Sequence, residues 1–269
     1  MPAAAGVTDA AALEAALGDD VCAVFLQYPN FLGAVEDLEA LVAPAKEAGA
    51  LVVVQCDAIP LGILRPPGDF GVDVAVGEGQ PLGNRLDYGG PSFGFFTARE
   101  EYLRRMPGRI SGETTDVDGR RGFVLTLQTR EQHIRREKAT HNITTAQTLN
   151  ALAGIAYLSW LGRDGLVELG ELLLQRTAYA REALCAIDGV EPLHDQPVVR
   201  EFAVRLDADV GAVIEHCAAA GINPGFALGR DYPEHADGLL VAITEQRTKA
   251  DIDRLAAAIG AAVREAVHA

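Results

Sequence analysis

Amine chemistry needs a lysine, and this chain of 269 residues has three: Lys46, Lys138 and Lys249. A Schiff-base amine has to be held in a dry pocket. Lys46 and Lys249 fall in amphipathic helical patterns and are expected to snorkel at the surface. Lys138 stands in TREQHIRREKATHNITTAQ, residues 129–147, which packs Arg130, Arg135, Arg136 and Lys138 into nine positions with His133 and His141 alongside. The second candidate is Asp57. It closes the run VVVQCD at the carboxyl end of a predicted buried strand, where open α/β sheets place ligand-binding groups. Capping of the following turn is the structural alternative for it.

Other chemistries are not written in the chain. Its six histidines show neither HxxxH nor HExxH spacing, so no metal site is expected. There is no GxSxG. The glycine-rich stretch 71–96 holds Gly77, Gly79 and Gly83, a GxGxxxG that misses the dinucleotide spacing by one and lacks the GK[ST] of a P-loop. Cys22, Cys56, Cys185 and Cys217 are far apart and form no CxxC. Reduced thiols, and with them a cytoplasmic protein, are the expectation. The N-terminus lacks the basic and long apolar regions of a signal peptide, and no run is long and apolar enough for a membrane span.

A net charge of −15 argues against nucleic acid or an anionic membrane as partner. The charge is uneven. Residues 104–138 contain nine basic and five acidic side chains, so this window is +4 and the remainder of the chain is −19. A positive island on an acidic chain suits an anionic ligand or an acidic partner surface; a solvated, self-paired segment is the plainer reading.

The elements that must position these groups follow from pattern. DAAALEAAL (9–17) reads as a short helix capped by Thr8 or Asp9. VCAVFLQ (21–27) and ALVVVQCD (50–57) are nearly continuous apolar runs, expected to be strands buried on both faces. Between them AVEDLEALVAPAKEAG (34–49) has helical periodicity and stops at Gly49. VDVAV (72–76) and SFGFFT (92–97) are two further strands, and RRGFVLTLQ (120–128) is extended. The alternation is that of a mainly parallel sheet covered by helices. Residues 145–161 form an apolar helix, Gly162 and Gly165 punctuate it, and a long helix follows over about 166–187. Strand 199–206, helix 209–221, strand 238–244 and helix 249–267 make an α+β unit. The expected organisation is a partial large α/β domain with an interface segment over 1–165, then a connector helix and small α+β domain over 166–269.

At this point long stretches resemble a known family. RPPGDFGVDVAVGEGQPLG (65–83), MPGRISGETTDVDGRRGFVLTLQTREQHIRREKATHNITTAQTLNAL (106–152) and LGRDYPEHADGLLVAITEQRTKADIDRL (228–255) are similar to the glycine cleavage system P protein. The form they resemble is subunit 1 of the glycine dehydrogenase (decarboxylating) that some bacteria split in two. The resemblance spans essentially the whole chain. It implies fold type I of the pyridoxal-phosphate (PLP) enzymes and a heterotetramer of two subunit types. Glycine is decarboxylated on PLP, and its aminomethyl group passes to the lipoyl arm of the H protein.

In the split form the PLP lysine belongs to subunit 2, so the resemblance implies no cofactor and no catalytic residue in this chain. The place after the third strand where the lysine would stand reads VGEGQPLG, with Gln80 or Pro81. Asp57 matches the Asp that pairs with the cofactor's pyridine nitrogen in catalytic relatives, and here becomes a relic or a structural cap. The segment 130–147 is expected at the subunit interface, shaping the partner's site. There Arg130, His133, Arg135, Arg136 and Lys138 lie near Thr140, His141, Asn142 and Thr144 at a predicted helix N-terminus, a setting suited to an anion. Where the family has Thr-Ser-Asn-Ile-Cys-Thr, this chain has Thr140-His141-Asn142-Ile143-Thr144-Thr145. The family's subunit also extends upstream of the point matching Met1, so a fragment with an exposed sheet edge and apolar surface is expected. The alternatives are an interaction remnant without enzymatic complex, and a self-sufficient PLP enzyme using Lys138.

Overall fold

Alternation of apolar positions builds the first sheet. The computed structural model describes residues 5–106, 108–139 and 147–267. Helix α1 (Ala10–Ala16) opens on Asp9, whose carboxylate accepts the Ala12 N–H. Strand β1 (Ala23–Tyr28), helix α2 (Leu38–Glu47) and strand β2 (Leu51–Cys56) form a βαβ unit, with β1 and β2 parallel in the register Phe25 to Val53. Leu38, Leu41, Val42 and Ala45 lie at helical spacing on one face of α2 and pack on Val24, Leu26, Val52 and Val54. Strand β3 (Val74–Glu78) adds parallel to β2, and β4 (Gly94–Ala98) closes the sheet antiparallel to β3, giving the order β1-β2-β3-β4.

The expectation of strands buried on both faces is corrected here. In β1 burial alternates, and Phe25 is 76% exposed. Helix α2 packs on the face that carries Val24, Leu26, Val52 and Val54, and Phe25 lies on the other face, open to solvent.

A short hairpin follows, β5 (Ile110–Thr115) with β6 (Arg121–Thr126). Helix α3 (Gln132–Arg135) leads toward α4 (Thr148–Cys185). The sequence suggests two helices over 145–187 punctuated by Gly162, and α4 is indeed two helices in line, joined by a kink at Gly162, whose φ of 64° and ψ of −171° leave the helical region. The second sheet consists of β7 (Val190–Pro192), β8 (Glu201–Leu206), β9 (Phe226–Ala227) and β10 (Gly238–Ala242), antiparallel in the order β7-β8-β10-β9. Helices α5 (Val210–Ala219) and α6 (Lys249–Val267) pack with the C-terminal half of α4 against it. Phe202, Val204, Leu239, Val241, Leu184 and Ile259 form that core.

The two sheets are tied at one place that bears on function. The loop after β1 pairs with the strand approach to β8: Ala34 bridges Val198, and the Val35 N–H donates to the Pro197 carbonyl at 2.9 Å. Glu36, buried, accepts from Thr8 N–H, Thr8 Oγ1 and Asn30 Nδ2 at 2.8–3.1 Å, which pins the N-terminal segment on the same loop. The end of β2 and the start of β8 are thereby held side by side.

Candidate functional site

Parallel strands end where backbone groups stop pairing, and β2 ends at Cys56. The next residue, Asp57, does two things. Its Oδ1 accepts the Ile59 N–H at 3.2 Å, the capping role, and its Oδ2 lies 2.5 Å from Arg200 Nε at the start of β8. Both side chains are mostly buried. The Nε–H is not aimed along the contact, which is therefore ionic in character. Glu201 beside it is pushed above the usual carboxylate range by burial; the charge of Arg200 opposes that shift and Asp57 adds to it. Cys56 is raised to about 11 by burial and by the Asp57 charge, so its thiol stays protonated and is no nucleophile.

These groups line a cavity of about 260 Å³ together with Gln27, Gln55, Glu78 and Gln80. Gln80 and Arg200 also border a neighbouring hollow of about 670 Å³ that reaches Asn84, Tyr157 and Arg247. No lysine lines either space. Lys46 Nζ is 2.6 Å from Asp73, which accepts the Val52 N–H near the start of β2, at the other end of that strand from Asp57. Lys249 Nζ is bound to Asp253 at 2.8 Å and to the Tyr179 hydroxyl at 2.6 Å, and these hydrogen bonds push its pKa up to about 12, the opposite of what an amine nucleophile needs. Lys138 is exposed, on a short 3-10 turn over Arg136–Lys138.

The cavity can hold a polar molecule, but it offers no amine, and its one arginine is already spent on Asp57. We expect Asp57→Ala to destabilise the fold by about 1–2 kcal/mol, because Arg200 then keeps its desolvation without its counter-charge. Chemical denaturation of the wild type, Asp57→Ala and the Asp57→Ala/Arg200→Met double variant checks this. The double variant should recover much of the loss.

The predicted basic segment divides. Arg130 is buried and donates from Nη2 to the Gly108 carbonyl at 2.6 Å, tying the segment to the approach of the β5–β6 hairpin. Glu131 is buried next to it. His133, Arg135, Arg136 and Lys138 are exposed on α3 and the turn after it. Thr140, His141, Asn142 and Thr144 lie outside the described residues. Sequence reasoning missed Arg200 and Glu201; a charged pair at the head of an apolar strand, RE before FAVRL, was the available signal. Among the described residues no group of histidine, cysteine and carboxylate side chains could hold a metal ion, and no helix is long and apolar enough to cross a membrane.

A four-stranded mixed sheet, a long connecting helix and an antiparallel α/β unit meeting at Asp57 define the fold class: the chain has fold type I of the PLP-dependent proteins. Its structure matches a sphingosine-1-phosphate lyase of Burkholderia pseudomallei at a TM-score of 0.70 and 21% identity, over 100% of this chain and 58% of that one, a likeness of fold alone. It matches a crystal structure of glycine decarboxylase (P-protein) of the glycine cleavage system, in inhibitor-bound form, at a TM-score of 0.86 and 43% identity, over 91% of this chain and 56% of that one. The family model described as "Glycine cleavage system P-protein" matches residues 4–259. The chain belongs to the glycine cleavage system P-protein family.

Similar proteins include the "Probable glycine dehydrogenase (decarboxylating) subunit 1" of Prosthecochloris aestuarii, 47% identical over 257 residues, covering 95% of this chain and 57% of that protein. The protein of the same name from Moorella thermoacetica is 48% identical over 259 residues, covering 96% of this chain and 58% of that protein. The chain thus spans a little over half the length of the relatives it matches.

Proposed function

We propose that this chain acts as a non-catalytic subunit of a glycine dehydrogenase (decarboxylating), completing a partner that carries PLP. The observation that carries the reading is the Asp57 cavity: its acid is paired with Arg200, and no lysine reaches it. PLP chemistry begins with an amine and, in this fold, an Asp free for the pyridine nitrogen. The residues present do not suit the cofactor. The partner, subunit 2, decarboxylates glycine on its PLP and passes the aminomethyl group to the lipoylated H protein. The chain's own parts divide near the kink of α4, with 1–165 as the large-domain portion and 166–269 as connector and small domain. Its free cysteines fit a cytoplasmic setting. The relatives named as subunit 1 support the reading.

The exposed Arg135 and Arg136 carry its interface side, with Arg130, His133 and Lys138 and the neighbouring Thr140, His141, Asn142 and Thr144. Arg135→Ser/Arg136→Ser is expected to lower glycine–bicarbonate exchange of the complex roughly tenfold, through slower and weaker assembly, with an unchanged melting temperature. Unchanged exchange would remove the segment from the interface. Titrating the isolated chain with PLP tests the cofactor side. No saturable Schiff-base absorbance is expected; a stoichiometric band lost in Lys138→Ala would instead establish a self-sufficient enzyme.

A second reading is an interaction remnant with no enzymatic complex. It shares with the first reading the observation that no lysine reaches the Asp57 cavity. Retention of the partner on the purified chain without any gain in exchange activity would support it.

A further inference from the structure

Two loops meet over the hollow of about 670 Å³ that neighbours the Asp57 cavity, and each brings an arginine to it. The first loop follows β3. Gln80 Nε2 donates to the Asn84 carbonyl at 2.8 Å and the Asn84 N–H to the Gln80 carbonyl at 3.2 Å, which closes the turn on itself. Asn84 Nδ2 donates to the Asn150 carbonyl of α4 at 3.3 Å, and a Cβ on Gly83 would stand 2.8 Å from the Cβ of Tyr157, so the loop is seated on that helix. Its next residue is Arg85. The second loop joins β10 to α6. There the Arg247 N–H donates to the Thr244 carbonyl at 3.0 Å, the Gln246 N–H to Thr244 Oγ1 at 3.3 Å, and Arg176 Nη1 of α4 to the Glu245 carbonyl.

Neither guanidinium is used to hold its own loop. Among the described residues Arg85 has no ion pair and no side-chain hydrogen bond. Arg247 feels the charge of Asp251, but the Asp251 carboxylate is taken by the Thr248 N–H and hydroxyl at 2.9 and 2.8 Å. Arg200 lines the same hollow with Asp57 as its counter-charge. Glu245 is the one carboxylate on the wall, so three arginines face one acid in a chain whose net charge is −15. Ile59, Leu169 and Leu173 give the wall its apolar part. Burial and the charge of Glu245 raise the Tyr157 hydroxyl, which stays a protonated donor. A concave apolar wall with a few convergent polar groups is the make-up of a small-molecule site. Two unpaired guanidiniums on separate, well-held loops suit a ligand with an anionic group at each end.

We propose that this hollow binds a small organic dianion with a carboxylate or phosphate at either end, one end on Arg85 and the other on Arg247. Arg85 follows a strand of the first sheet and Arg247 a strand of the second, so the ligand bridges the two halves of the chain and holds them together. Binding needs no amine and no cofactor, and no bond is made or broken. The site therefore stands whether or not the chain assembles with a partner.

The probes are succinate, with two carboxylates, acetate, with one, and inorganic phosphate. Calorimetric titration of the full chain is expected to give one saturable succinate site, with acetate weaker by roughly tenfold or more. In Arg85→Gln and in Arg247→Gln the succinate affinity should fall roughly tenfold or more. The ligand-free melting temperature should stay unchanged in both, since each side chain is exposed and unpaired. Glu245→Gln should bind succinate more tightly, because the one opposing charge is gone. Succinate should also raise the melting temperature of the wild type and leave that of Arg85→Gln/Arg247→Gln where it was. Phosphate that binds more tightly than succinate, and is lost in the same two variants, supports the site and assigns phosphate to its ends. Saturable binding of neither succinate nor phosphate, or undiminished affinity in either single variant, overturns the site. Equal affinity for acetate and succinate overturns the two-ended ligand.

Discussion

Gly33→Ala is expected to destabilise the protein by about 3 kcal/mol or more, among the largest effects of any single methyl group in this chain. Gly33 has a φ of +84°, in the left-handed region that costs an L-residue roughly 1–2 kcal/mol. The added Cβ would also stand 2.2 Å from the Glu201 carbonyl oxygen and 2.5 Å from its carbon. Those atoms are backbone, fixed in β8 between β7 and β10, so they cannot swing away. The loop itself has little slack: Asn30 Oδ1 accepts from the Leu32 and Ala34 N–H groups at 3.0 and 3.1 Å. The methyl therefore acts on the seam that holds the end of β2 beside β8. Gly49 is the control, with φ +79° and nothing within 4 Å of a built Cβ. Gly49→Ala should cost only the backbone component, about 1 kcal/mol. Urea denaturation of the two variants separates strain from clash; equal losses would show that β8 yields.

The second large effect is at Asp73, which is buried in the turn before β3. Its Oδ2 accepts the Val52 N–H at 2.8 Å and its Oδ1 lies 2.6 Å from Lys46 Nζ. It thus locks α2 and β2 to β3. Burial by itself raises the Asp73 pKa, but the hydrogen bonds from Lys46 and Val52 and the charges of Lys46 and Arg99 outweigh it, and the net shift is downward. Asp73→Ala is expected to cost about 3 kcal/mol, since it strands a buried N–H in the middle of the sheet. The pH dependence has a definite sign. A carboxylate with a depressed folded pKa contributes stability that is present above its unfolded value, near 4, and is lost as the pH falls through the folded value. The stability advantage of wild type over Asp73→Asn should therefore hold at pH 6 and shrink steadily below about pH 4. A difference independent of pH would mean that charge is not what Asp73 contributes.

How much of this was legible in the sequence differs by type of interaction. Local signals held: the Asp9 cap, the 38–41–42–45 stripe of α2, and the strand–helix–strand order followed from spacing. The β5–β6 hairpin was half seen, because ISGETT is too polar and too exposed to show a buried face. The apolar run of β1 promised burial on both sides, but hydrophobicity reports what a strand can bury and not whether a neighbour lies there; Phe25 shows the difference. Gly162 and Gly165 both looked like helix breakers, and only Gly162 leaves helical geometry. The Asp57–Arg200 pair joins residues 143 positions apart, and no periodicity encodes such a contact. The family resemblance located Asp57, but only the fold shows that an arginine already occupies it.

The most direct measurement of the central claim is reconstitution. The full chain, its PLP-bearing partner and an equimolar mixture are assayed separately for glycine–bicarbonate exchange in the presence of lipoylated H protein. The account predicts exchange in the mixture, little in the partner alone and none in this chain with added PLP. Full activity in the partner alone, or activity in this chain by itself, would contradict it.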